Sequence, residues 1–169
     1  AAEQEDDWSA AEDFYARAGA IVPDNPNVTG GYQLATEINR LQRQLTDILD
    51  NPDRMASEKV ANDAAEQATK AQDIADLSPS LARMAQDVTR LVESYAQKVS
   101  IRILSDGVTR ISVRGVGQVG VTTDRTIELR PGSYIFEGTR AGFRSKLITV
   151  DVPPGTEGLT LEIYPDEPV

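Results

Sequence analysis

Between residues 99 and 169 the chain carries eight basic side chains: Arg102, Arg110, Arg114, Arg125, Arg130, Arg140, Arg144 and Lys146. All but the last are arginine, whose planar fork makes paired hydrogen bonds to carboxylates and suits polar interfaces. Two readings follow. These are ordinary outward positions on strands, or Arg102, Arg114, Arg125, Arg140, Arg144 and Lys146 form a patch for a partner. The partner would be the acidic first half of the chain, or an anionic envelope polymer or protein. Neighbouring carboxylates also occur, at Asp6-Asp7, Glu12-Asp13 and Asp166-Glu167. An acid/base pair needs a pocket that shifts one pKa. These pairs lie in polar, helix-surface or terminal contexts and read as solvating charges.

The sequence contains no His and no Cys. Imidazole bases, thiolate nucleophiles, disulfides and the usual zinc ligands are thereby excluded. Asp24-Asn25-Pro26-Asn27 offers oxygen ligands but lacks the alternating spacing and closing Glu of a calcium loop. Gly115-Val116-Gly117-Gln118-Val119-Gly120 has phosphate-loop glycine spacing, yet no helix follows it, so a β-turn or bulge is expected. Ser145 and Lys146 are adjacent on a strand and point to opposite faces, which rules out a dyad. The expectation is a non-enzymatic chain with no catalytic set, cofactor or metal.

Charge is unevenly distributed. Residues 1–98 hold nine Lys/Arg against eighteen Asp/Glu, a balance of −9; residues 99–169 hold eight against nine, a balance of −1. This disfavours nucleic acid and anionic lipid as partners. No run of eighteen apolar residues exists, so direct membrane insertion by this stretch is not expected. The opening residues read like the middle of a longer protein, with room for an upstream membrane anchor.

The elements that must hold these groups separate cleanly. Trp8, Ala11, Phe14/Tyr15 and Ala18 recur at helical spacing and predict a helix from Trp8 to about Gly19. A second helix is expected after Thr29-Gly30-Gly31, with Leu34, Ile38, Leu41, Leu45 and Ile48 as its stripe. A third, Ala-rich helix follows Ser57, and a fourth follows Ser78-Pro79 with Leu81, Val88 and Tyr95 on its face. Short turns marked by Pro predict antiparallel packing. Near Lys98 the period changes from 3.6 to 2. Seven short strand-like runs then appear, from Val99-Ile101-Ile103 to Leu159–Tyr164, separated by Gly and Pro turns. The predicted class is α+β with segregated parts: a helical hairpin or bundle over 1–97 and a seven-stranded antiparallel β-sandwich over 98–169.

Two resemblances accompany this reading. Asp7-Trp8-Ser9-Ala10-Ala11-Glu12-Asp13-Phe14-Tyr15-Ala16-Arg17-Ala18, then Pro23-Asp24-Asn25-Pro26, resembles part of a tetratricopeptide (TPR) repeat, covering about residues 7–48. Leu129-Arg130-Pro131-Gly132-Ser133-Tyr134, then Gly142-Phe143 and Val150-Asp151-Val152, resembles the PEGA family over about residues 99–164. The PEGA resemblance implies a non-catalytic, prealbumin-like sandwich in the bacterial envelope. Together they imply a scaffolding region on the periplasmic side of a membrane-anchored protein, bound to another envelope protein or a cell-wall component. The alternative is a sensor ectodomain that relays such binding across the membrane. Oligomeric state is not legible.

Overall fold

Three of the α-helices start where a polar side chain takes up unpaired N–H groups. In the computed structural model, which describes residues 2–169, α1 (Trp8–Ile21) begins behind Asp7, whose carboxylate accepts the Ala10 N–H at 3.0 Å. α2 (Pro26–Asp50) begins behind Asn25, which accepts from Asn27 N at 3.0 Å and Val28 N at 3.4 Å. The expected start after Gly31 is therefore corrected. Asn25 at the cap and Pro26 in the first turn are the stronger signal, and Gly30-Gly31 lie inside the helix. Gly31 has a packing reason: a Cβ there would stand 2.2 Å from Cζ of Tyr15. α3 (Glu58–Asp73) and α4 (Pro79–Ala96) follow, the latter capped by Ser78 Oγ, which accepts from Leu81 N at 3.2 Å.

The chain divides into two compact units, Ala1–Val92 and Glu93–Val169. In the first, α2 buries Ala35, Ile38, Leu41 and Leu45, and α3 buries only alanines: Ala61, Ala64, Ala68 and Ala71. Methyl side chains on α3 allow close approach to α2, against which it packs. α1 lies antiparallel on α2 and turns Trp8 and Ala11 inward.

The second unit holds seven strands: β1 (Val99–Leu104), β2 (Arg110–Val113), β3 (Gly117–Val121), β4 (Asp124–Leu129), β5 (Gly132–Thr139), β6 (Lys146–Val152) and β7 (Leu159–Glu162). They form a three-stranded sheet in the order β4-β1-β7 and a four-stranded sheet in the order β3-β2-β5-β6. The sandwich was expected to be antiparallel throughout, but β1 and β7 run parallel, Ile101 opposite Leu159. A parallel pair needs a long crossover, and here all of β2–β6 intervenes. A bulge between Ile111 and Ser112 interrupts the β2–β3 register beside the glycine-rich segment. Val99, Ile101, Ile103, Ile111, Val113, Leu129, Phe136 and Val152 close one core between the two sheets. Tyr134 donates its hydroxyl to Arg130 O at 2.9 Å and pins the β4–β5 corner. Phe143, expected to return to the core, stays half-buried at the rim.

Candidate functional site

Each of the six basic residues of the expected patch meets an acceptor within its own unit. Arg102 stands on the outward side of β1 and grips the Asp124 carboxylate with two nitrogens, Nε lying 3.0 Å from Oδ1. The Arg102 hydrogen bond holds Asp124 below its ordinary pKa. Arg114, just beyond β2, reaches Glu137 at 3.4 Å. Arg125 on β4 donates Nη1 to Val119 O on β3 at 2.5 Å and so ties one sheet to the other. Arg140 pairs with Asp106 at 3.2 Å while its guanidinium lies 4.6 Å from the centre of the Phe143 ring. Lys146 meets Asp166 at 3.2 Å, and Arg144 lies 3.9 Å from Glu167. Five of the six thus meet a carboxylate of the same unit and the sixth meets a carbonyl.

The last three of these pairings belong to structural devices that the sequence reading missed. Asp106 accepts from Val108 N at 3.0 Å, from Thr109 N at 2.7 Å and from Thr109 Oγ1 at 2.9 Å, shaping the β1–β2 turn. Burial would raise its pKa, but those hydrogen bonds and Arg140 outweigh burial and hold it at about 2. Beyond β7 the tail lies along the β5–β6 loop. Arg144 N donates to Glu167 O at 2.8 Å, Val169 N donates to Gly142 O at 3.0 Å, and Phe143 bridges Pro168. The local signal was an Asp two and three residues ahead of the groups it bonds; the tail contacts had none.

The carboxylate pairs are likewise more committed than solvating charges. Asp6 takes a left-handed backbone (φ 59°), which aspartate tolerates. It accepts from Trp8 Nε1 at 2.9 Å, Ser78 Oγ at 2.6 Å and Ser80 N at 2.7 Å. Burial pushes its pKa up, yet these bonds prevail and the carboxyl lies below its ordinary value. Glu12 accepts from Asn39 Nδ2 at 2.6 Å and from Thr36 Oγ1 at 3.1 Å, locking α1 to α2 around the buried Asn39. A recess of about 560 Å³ between α2 and α3 includes Arg54 and Lys59, already paired with Asp47 and Asp63.

What α1 leaves outward is different in kind. The sequence reading put Phe14 and Tyr15 on one face; the structure separates them. Tyr15 lies against Gly31 and donates to Glu3 Oε1 at 2.6 Å, whereas Phe14 is 60% exposed and Ile21 80% exposed. Ala10 and Phe14 line a groove of about 360 Å³ with Ala2, Glu3, Tyr15 and Arg17. On the other side of Tyr15, a second groove of about 330 Å³ includes Val28 and Tyr32. Among the described residues, no helix is long and apolar enough to cross a membrane, and no carboxylate cluster is arranged to hold a metal. Neither a family model nor a curated protein matches the chain.

Proposed function

We propose that this chain is a non-catalytic interaction and scaffolding region of a bacterial envelope protein, with a TPR-like helix hairpin ahead of a PEGA-like, prealbumin-like sandwich. The single observation that carries the interaction role is α1, which turns Phe14 and Ile21 to solvent while its other face is fully engaged with α2. Exposed large side chains at one helical spacing are what a contact surface requires. The envelope setting rests on the PEGA resemblance at Leu129–Tyr134 and Gly142-Phe143. The sandwich then serves as a rigid support whose ionic groups satisfy one another, rather than as a receptor for an anionic polymer. A sensor role is the second reading, favoured by the short step of Gln97 and Lys98 between α4 and β1.

Affinity capture from a bacterial envelope extract, run beside sedimentation with purified peptidoglycan, tests the proposal. The expected result is capture of envelope protein that survives Arg114→Glu with Arg144→Glu. Cell-wall sedimentation abolished by that double change would contradict it and restore the arginine patch as the binding site. Arg125 is left intact because its contact is internal.

A further inference from the structure

We propose that the outward stripe of α1 docks a basic amphipathic helix, a partner chemistry that rests on the scaffolding reading above. Ala10, Phe14 and Ile21 stand at i, i+4 and i+11 and so lie along one side of the helix. They are not surplus from the hairpin, because Trp8, Ala11 and the Glu12–Asn39 clasp already satisfy the opposite side. The 14 residues of α1 span about 21 Å, enough to lie along roughly four turns of a partner helix. The groove beside Phe14 gives an apolar anchor a place to enter.

Charge selects the partner. Residues 2–26 hold Glu3, Glu5, Asp6, Asp7, Glu12, Asp13 and Asp24 against the single cation Arg17. Asp6, Asp7 and Glu12 are bound internally; Glu3 lines the groove while accepting from the Tyr15 hydroxyl, and Glu5, Asp13 and Asp24 are exposed. An apolar stripe on so acidic a segment attracts a helix with Lys or Arg flanking its own apolar stripe and repels an acidic one. Arg17 stands at i+7, on the stripe itself between Phe14 and Ile21, with Nε 3.4 Å from Asp13 O, and would face the carbonyl end or a lone carboxylate of that helix.

The probe is a fluorescein-labelled Leu/Lys amphipathic helix of about 18 residues, followed by anisotropy on the whole chain. A Leu/Glu helix and a Lys/Ser peptide of equal charge serve as comparisons. The Leu/Lys helix is expected to bind, the other two to bind far less, and added salt to weaken the complex. Phe14→Ser and Ile21→Ser should each lower affinity about tenfold or more, while Leu147→Ser, at an exposed apolar position of β6, should leave it unchanged. Unaltered far-UV circular dichroism would confirm that these exposed replacements keep the fold. Equal binding of the Lys/Ser peptide, or wild-type affinity in both α1 variants, would overturn the site. So would self-association that Phe14→Ser abolishes without any peptide binding, since the face would then belong to a second copy. Envelope capture that persists while the Leu/Lys helix fails to bind overturns the α1 site and leaves the scaffolding reading standing. Helix binding without envelope capture upholds the site and removes that reading.

Discussion

In the β unit, basic side chains considered for a partner each meet a nearby carboxylate: Arg102 on Asp124, Arg114 on Glu137, Arg140 on Asp106, Lys146 on Asp166. In the helical unit, carboxylates outnumber cations, and Phe14 and Ile21 stand in water, Phe14 sharing a groove with Glu3. Both units are rich in charge, and residue type alone does not tell them apart. Commitment does. A side chain becomes an interaction site when the fold leaves it without work, and that is decided by what the opposing strand or helix brings alongside.

The sharpest break between the units is expected in their cores. The β unit closes on one large, fully buried ring, and Phe136→Ala should cost about 3–5 kcal/mol, read from guanidinium unfolding through the methyl signals of Ile101 and Val113. A loss under 1 kcal/mol would mean that the two sheets do not share the core described. The helical unit relies on close approach instead. Gly31→Ala forces the Tyr15 ring aside and should cost about 1–2 kcal/mol. In a Tyr15→Ala background the same change should become stabilising, through helix propensity, by up to about 1 kcal/mol. Additive effects in that cycle would refute the contact.

Acid sharpens the comparison further. Asp106 has a folded pKa of about 2, below its ordinary 3.8. Its contribution is therefore complete above about pH 4 and is lost as pH falls toward 2. Asp106→Asn should flatten the pH dependence of β-unit stability in that window, measured as the denaturant midpoint at successive pH values. An unchanged slope would contradict the network of Val108, Thr109 and Arg140. The smallest effect belongs to the outward ion pair. Arg102→Gln should leave the denaturant midpoint nearly unchanged, because both partners are substantially exposed.

Much of this architecture was legible in advance. The change of period near Lys98 located the strands within a residue or two, since alternation in Val99-Ile101-Ile103 follows directly from burying one face of a sheet. The a/d stripe of α2 was equally plain, with Ile38, Leu41 and Leu45 buried as spaced. The start of α2 was misplaced because glycines were read as a break, when the Tyr15 ring requires one of them. The parallel β1–β7 pair and the tail along the β5–β6 loop depend on residues more than twenty positions apart, for which local pattern holds no signal. The ion pairs within the candidate patch were invisible for the same reason: Arg102 and Asp124 meet across strands, and only the register between β1 and β4 puts them together. Phe14 was assigned inward with Tyr15, although one helical step of about 100° separates them.

The central claim is that contact is made by α1 and not by the arginines of the sandwich. A nitrogen-15-labelled chain titrated with the Leu/Lys helix measures this residue by residue through amide chemical shifts. The account predicts perturbations running along Ala10–Ile21 and into the first turn of α2, with Arg102, Arg114, Arg140 and Arg144 unmoved. Shifts gathered around those arginines, with α1 silent, would contradict it.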